Sequence, residues 1–298
     1  MPKAFYRLHL AIFLAGLTAI FGKLITLNEG VLVWHRMTLT ALFWAAFLLY
    51  RKSFPRIPVK AMLEIGLLGI IMALHWVFFY ASIKHSNVSI AVVCFALSCF
   101  FTAIFEPLIN RTRLSARDLV LSFLTISGIA LIFHFDTRYR LGITLGTISS
   151  AFYGLFTVVG KRTGKKHPAS TLLLYEMIGG AIFLTLLMPI YLQVFPNLAI
   201  IPQADDVVLL LLFVIFCTLW LNLLLFQALQ DLSSFTVSLS FNLEPIYSIV
   251  IAMMIFNEAR ELGWSFVAGI TCITLSVVLQ TWFSLSERPG FLQRRNRY

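Results

Sequence analysis

The chain is predicted to be an all-α integral membrane protein, with ten transmembrane helices arranged as two inverted five-helix repeats. Three observations predict this. Hydrophobic residues make up 59% of its 298 residues and charged residues only 12%, and the mean hydropathy is +0.89. A soluble chain of this length carries about 25% charged residues, so lipid must solvate most of this one. The apolar residues fall into ten runs, each near the ~20 residues that cross a bilayer. Finally, the chain aligns with itself. Ala15-Gly16-Leu17-Thr18-Ala19-Ile20-Phe21-Gly22-Lys23 returns as Tyr153-Gly154-Leu155-Phe156-Thr157-Val158-Val159-Gly160-Lys161, and His35-Arg36-Met37 as Tyr175-Glu176-Met177. Leu108-Ile109-Asn110-Arg111-Thr112-Arg113-Leu114 answers Ile255-Phe256-Asn257-Glu258-Ala259-Arg260-Glu261. The offset between the copies drifts by only a few positions, as loop insertions would make it.

Taken in order, the spans are expected at about 7–26, 31–50, 61–83, 88–109, 118–135, 142–160, 169–191, 206–228, 234–256 and 262–283. The first follows a basic N-terminus, Met1 to Arg7, but lacks a small-residue cleavage site and reads as an uncleaved span. Pro55 and Pro58 follow the second span, Pro168 precedes the seventh, and Pro196 and Pro202 precede the eighth. The first repeat is expected over 8–134 and the second over 143–281, with a basic cytoplasmic tail over 284–298. The connecting loops leave no room for a soluble domain.

Orientation follows the bias of Lys and Arg toward cytoplasmic loops. With both termini inside, seventeen basic residues fall on that side: Lys3, Arg7, Arg51, Lys52, Arg56, Lys60, Arg111, Arg113, Arg117, Lys161, Arg162, Lys165, Lys166, Arg288, Arg294, Arg295 and Arg297. Four fall outside: Lys84, Arg138, Arg140 and Arg260. Five spans per repeat is an odd number, so the second copy enters the membrane from the opposite side to the first. The two halves are then related by an axis in the membrane plane.

The net charge of +10 does not point to nucleic acid, because the basic residues sit in short clusters between apolar runs. Cys94, Cys99, Cys217 and Cys272 lie inside apolar runs without a CxxC pair, so they read as packed thiols. The segment Gly160-Lys161-Arg162-Thr163-Gly164-Lys165-Lys166 lacks the spacing of a phosphate-binding loop, which excludes direct drive by ATP. No metal or cofactor spacing is present. His134 and Asp136 are too close for an HxxxxD acyltransferase motif, which disfavours an intramembrane transferase.

Ionisable groups in lipid need a partner or a wet cavity, and here they cluster. Trp34, His35 and Arg36 lie toward the outer end of the second span, and Tyr175 and Glu176 answer His35 and Arg36 in the seventh. His75 precedes Trp76, Phe79 and Tyr80 in the third span and shares a face with Phe79. Asn222 answers His75 in the eighth, beside Trp220. Asn242 and Glu244 lie in the ninth with Pro245, which is expected to kink the helix; its counterpart Ser98 cannot. Each polar residue has a structural alternative: Arg36 snorkels to headgroups, Glu176 pairs with a cation, His75 is a core histidine, and Glu244 caps a broken helix. Recurrence in both copies favours a binding role. Gly179-Gly180 and the pair Gly16 and Gly154 point to close helix contacts.

The pattern resembles the drug/metabolite transporter superfamily, and within it the EamA type of bacterial exporters. The residues that carry the resemblance are Tyr80-Ala81-Ser82-Ile83-Lys84 and Phe226-Gln227-Ala228-Leu229 closing the third and eighth spans, Asn242-Leu243-Glu244-Pro245 within the ninth, and Phe256-Asn257-Glu258 at its end. In the first copy Arg111 replaces the acid that Glu258 supplies. The resemblance implies a central cavity lined by spans one to four and six to nine, with spans five and ten peripheral. It implies a secondary-active or facilitative exporter of small metabolites, such as amino acids or related organic ions, in a bacterial inner membrane, as monomer or homodimer. Under this expectation Arg36 anchors a carboxylate, and Trp34, Trp76, Phe79, Tyr80, Tyr153, Tyr175 and Trp220 supply aromatic walls. His35, Asn222 and Asn242 add polar contacts, and Glu176, His75 and Glu244 are the candidate proton carriers. A flippase for a lipid-linked headgroup is the alternative.

Overall fold

The computed structural model describes residues 2–133, 139–196, 198–256 and 264–286. Every element among them is a helix. In chain order they are α1 (Pro2–Leu24), α2 (Glu29–Tyr50), α3 (Val59–His85), α4 (Val88–Phe95), α5 (Ser98–Asn110), α6 (Ala116–Phe133), α7 (Arg140–Gly164), α8 (Ala169–Val194), α9 (Ala204–Val214), α10 (Leu221–Asp231), α11 (Ser234–Ser240), α12 (Glu244–Phe256) and α13 (Trp264–Ser286). A π turn, Ile215–Trp220, joins α9 to α10, and a 3-10 turn, Phe241–Leu243, joins α11 to α12. Among the described residues, seven helical stretches are long and apolar enough to cross a membrane: Lys3–Leu24, Glu29–Tyr50, Val59–His85, Val88–Asn110, Arg140–Gly164, Ala169–Val194 and Ala204–Asp231. Several large apolar side chains, among them Leu42, Leu186 and Val208, lie exposed on the outside, where lipid would meet them. His134, Asp136, Arg138, the Asn257-Glu258 motif, Arg260 and the tail beyond Ser286 lie outside the described residues.

Local chemistry sets the boundaries. Asn28 caps α2 by accepting from the Gly30 N–H at 2.9 Å, Asn87 caps α4 through the Ile90 N–H at 2.8 Å, and Ser233 caps α11 through the Thr236 N–H at 3.0 Å. Each satisfies a first-turn donor that has no partner within the helix. Pro58 and Pro168 stand immediately before α3 and α8. Arg111, in the left-handed region at φ 54°, closes α5 by donating its N–H to the Pro107 carbonyl.

The expected difference between Pro245 and Ser98 is not observed. The helix also breaks in the first copy, between Phe95 and Ser98. There the N–H groups of Ala96 and Leu97 turn back to the carbonyls three residues earlier, at 3.1 and 3.0 Å, and Ser150 donates to the Cys94 carbonyl at 2.7 Å. A serine from a neighbouring helix repairs this break without a proline. In the second copy Pro245 lies in the first turn of α12, where its missing N–H costs little.

α3 lies at the centre, packed on α7 and α8. α1 packs on α10 and α12, α2 on α8, and α4 and α5 on α7. α4 meets α12, α5 meets α11, and α6 pairs with α13. Glycines set the closest approaches. A Cβ on Gly16 would lie 2.7 Å from Tyr247 Cβ, and one on Gly154 would lie 2.9 Å from Phe101 Cβ. Along α3 and α8 the contact is backbone to backbone: a Cβ on Gly179 would lie 2.6 Å from the Gly66 carbonyl oxygen, and one on Gly180 would lie 2.8 Å from that of Gly69. Such contact is how helices associate where lipid removes the hydrophobic incentive. Gly69→Ala is therefore expected to cost about 1–3 kcal/mol by overpacking. Gly160→Ala, whose Cβ would meet nothing nearer than 3.6 Å, should be close to neutral. Thermal unfolding of the two variants in detergent checks this.

Candidate functional site

Arg36 organises the site. It sits two turns into α2 and is 1% exposed, so its side chain is packed inside the protein and does not snorkel to the membrane surface. Its Nε donates to Thr218 Oγ1 at 2.6 Å, one terminal nitrogen to the Tyr80 hydroxyl at 2.7 Å, and the other to the Cys217 carbonyl at 2.6 Å. The guanidinium lies 3.6 Å from the centre of the Trp76 ring and 4.4 Å from that of Phe213. All these partners are neutral. A guanidinium carries five N–H groups; three are used here and two remain.

The π turn supplies two of these acceptors. A turn of this kind loosens the helical hydrogen-bond ladder and is common at functional positions. Here Leu221 donates back to the Phe216 carbonyl, and the Cys217 carbonyl receives Arg36. The Thr218 hydroxyl accepts from Arg36 Nε and donates to the Phe213 carbonyl at 3.3 Å. Gly22 on α1 makes room for the Tyr80 ring, which a Cβ at that position would strike.

Arg36 opens onto a cavity of about 30 Å³. His75 and Trp76 of α3, Tyr153 of α7, Asn222 of α10 and Glu244 of α12 also line it. Phe79, Phe95, Tyr153 and Phe241 line it with aromatic rings, and ring centres lie 4.7 Å apart for Phe95 and Tyr153 and 5.6 Å apart for Tyr153 and Phe241. Phe95 ends α4 at its break, Phe241 opens the 3-10 turn, and Leu221 follows the π turn. All three helix interruptions therefore border the cavity. Two buried polar atoms on its walls, the Tyr153 hydroxyl and Asn222 Oδ1, have no hydrogen-bond partner. Asn222 Nδ2 is committed to the Thr218 carbonyl at 2.7 Å.

The tautomer of His75 follows from its contacts. Nδ1 lies 3.0 Å from the Ser149 carbonyl, which can only accept, so Nδ1 carries the hydrogen. The Ser149 hydroxyl in turn donates to the His75 carbonyl at 2.9 Å. In the neutral ring this leaves Nε2 as an acceptor, on a side chain that lines the cavity.

The structure brings together Arg36, His75, Trp76, Phe79, Tyr153, Asn222 and Glu244, with Tyr80 behind Arg36. Other residues singled out from the sequence lie elsewhere. Trp34 donates to Thr185 Oγ1 at 2.8 Å on the exposed side, and His35 contacts the Val31 carbonyl of its own helix. The Tyr175 hydroxyl donates to the Pro55 carbonyl at 2.8 Å, so Tyr175, in the second turn of α8, reaches the α2–α3 loop and does not line the cavity. Trp220 is 54% exposed. Asn242 turns its Nδ2 toward Cys99 and Thr125, away from the cavity. Glu176 is fully buried but makes no ion pair with Arg36, and neither of its oxygens has a hydrogen-bond partner. Thr218, the Cys217 carbonyl and Phe213 were missed from the sequence. The available signal was Thr218, a hydroxyl four residues before Asn222 within a long apolar run.

Known proteins agree with this architecture. The model of the EamA-like transporter family matches residues 5–134 and again residues 140–282. An uncharacterized transporter of Archaeoglobus fulgidus is 22% identical over 250 residues, which cover 81% of this chain and 84% of that protein. One solved structure, described only as the crystal structure of a protein, is similar with a TM-score of 0.73 at 13% identity, over 95% of this chain and 98% of its own; at that identity it speaks for the fold alone. The family match spans nearly the whole sequence, so the chain belongs to the EamA-like transporter family, a family of multi-pass membrane transporters within the drug/metabolite transporter superfamily.

Proposed function

We propose that the protein is a secondary-active or facilitative carrier that moves a small carboxylate-bearing metabolite, such as an amino acid, by alternating access. The single observation that carries this reading is the buried Arg36 guanidinium, held by neutral groups with two N–H groups left over, on the wall of a cavity. A carboxylate is the ligand that completes such a group bidentately. Glu244 on the same cavity suits an ammonium group, and the rings of Phe95, Tyr153 and Phe241 suit an aromatic or apolar body. A cavity of about 30 Å³ is far below the ~300–1,000 Å³ of a ligand pocket. Helices must part to admit a substrate, and the breaks in α4/α5, α9/α10 and α11/α12 are where they can bend. Export is the direction the family resemblance implies.

Ten membrane-spanning segments in two inverted repeats belong to the same reading, with α4/α5, α9/α10 and α11/α12 each counted as one span. The family model matching twice supports it. So does the packing, which survives exchange of the halves. α7 on α3 answers α1 on α10; α4 and α5 on α7 answer α11 and α12 on α1; and α6 pairs with its own counterpart α13. α4 meeting α12 while α5 meets α11 is the antiparallel crossing that inversion requires. The basic loops favour both termini in the cytoplasm, in a bacterial inner membrane.

Purified protein in liposomes preloaded with phenylalanine should take up radiolabelled phenylalanine by counterflow. Arg36→Ala should cut the rate about tenfold or more, as loss of a hydrogen bond to a charged group implies. No saturable counterflow across a panel of amino acids and organic acids would refute the reading. A cysteine placed at Lys52 or Lys165 should react with an impermeant maleimide only from the cytoplasmic side, and one at Arg140 only from outside. Labelling of the first two from outside would overturn the orientation.

A further inference from the structure

Glu176 is an acid fully buried in α8, whose carboxyl oxygens the described structure leaves without a hydrogen-bond partner. The charged side chain that acts on it electrostatically is Arg36 of α2, yet every bonded contact of that guanidinium goes to a neutral group. The other helices packed on α8 bring no rival charge among the described residues. α3 presents Gly66 and Gly69 to it; Glu64 of α3 is engaged by Lys166 at 3.4 Å, and His75 of α3 is tied to Ser149. On α7, Lys161 donates to the Leu232 carbonyl, and Asp231 of α10 lies exposed at the helix end. Glu244 of α12 lines the cavity with Arg36 and is a second carboxylate within electrostatic reach of it.

An anionic carboxylate at this position would be a buried charge without a donor, whereas a carboxyl holding its proton buries only a dipole. The packing adds a second observation. α8, which carries Glu176, packs on α2, which carries Arg36, and its seam with α3 is closed through backbone at Gly66, Gly69, Gly179 and Gly180.

We propose that Glu176 is a proton-binding site whose loading frees Arg36 for the substrate carboxylate, so that one proton is taken up with each carboxylate bound. This rests on the transport reading above. When the carboxylate leaves and the seam parts, the Glu176 O–H bond breaks, the proton passes to water, and the carboxylate of Glu176 becomes the counter-ion of Arg36. On reloading, the O–H bond forms again as the substrate replaces it. No other bond changes, and the charges of Arg36, Glu176 and the substrate's carboxylate group sum to zero in both states. The proton crosses with the substrate, so an acidic exterior opposes export.

Two measurements on the full chain in detergent test this. Dicyclohexylcarbodiimide, which attacks carboxyl groups that hold a proton in apolar surroundings, should modify Glu176 in the substrate-free wild type at acid pH and not at alkaline pH. Peptide mass spectrometry reads the modification and needs no substrate. Absence of labelling at every pH would overturn the proposal whatever the transport assays give. Calorimetry of phenylalanine binding in buffers of different ionisation enthalpy should report uptake of one proton per ligand by the wild type. Glu176→Gln, a neutral isostere, should bind phenylalanine with no proton uptake and with an affinity independent of pH. Unchanged uptake in that variant, or none in a wild type that binds phenylalanine, would sink the proposal and leave carriage itself standing. A wild type that binds no phenylalanine but labels as expected would instead indict the choice of substrate.

Discussion

Burying a permanent cation in the middle of a membrane protein is the constraint to which the rest of this structure answers. An arginine at the bilayer centre costs several kcal/mol even on lenient scales, and a guanidinium cannot shed its charge. The chain surrounds Arg36 with dipoles and aromatic faces instead of an opposing charge: a threonine, a tyrosine, a backbone carbonyl, and the rings of Trp76 and Phe213. Two of these carry their own structural requirement: the carbonyl needs the π turn, and the tyrosine needs Gly22. The result is a positive group held by three neutral acceptors with two N–H groups to spare, which under the proposed function suits reversible capture of an anion better than a built-in ion pair would.

The helix breaks belong to the same economy of backbone groups. Within lipid, irregular backbone survives only where protein or a cavity satisfies it. The three interruptions, at Ala96-Leu97, Ile215–Trp220 and Phe241–Leu243, all gather at the cavity, and Ser150 and Arg36 bond two of the carbonyls concerned. The interrupted helices meet at the cavity, whereas the unbroken α3 and α8 pack backbone to backbone through four glycines; under the proposed function the first supply the hinge and the second the seal.

Much of this was legible in the sequence because lipid imposes long apolar runs, and because the chain aligns with itself and so offers a register. Helix boundaries, the glycine contacts and the grouping of Arg36 with His75, Trp76 and Asn222 could all be read from it. Which face of each helix looks inward could not. In a soluble helix an apolar stripe marks the buried side, but here lipid and core are equally apolar. Trp34 and His35 therefore looked equivalent to Arg36, although neighbouring helical residues point about 100° apart. Trp220 went astray for a further reason. The π turn that ends at it shifts the helical register, and no proline or glycine in Ile215–Trp220 marks that turn. The break before Ser98 was equally silent, because the serine that repairs it sits on another helix.

The central claim is that a substrate carboxylate docks on Arg36 with its body among Phe95, Tyr153 and Phe241. Crystals of the full chain grown with 4-bromophenylalanine would test it most directly, since bromine scatters anomalously. The account predicts one anomalous peak among those three rings, with carboxylate density on the two free N–H groups of Arg36. A peak confined to the lipid-facing surface, with Arg36 still bound only to Thr218, Tyr80 and the Cys217 carbonyl, would contradict it.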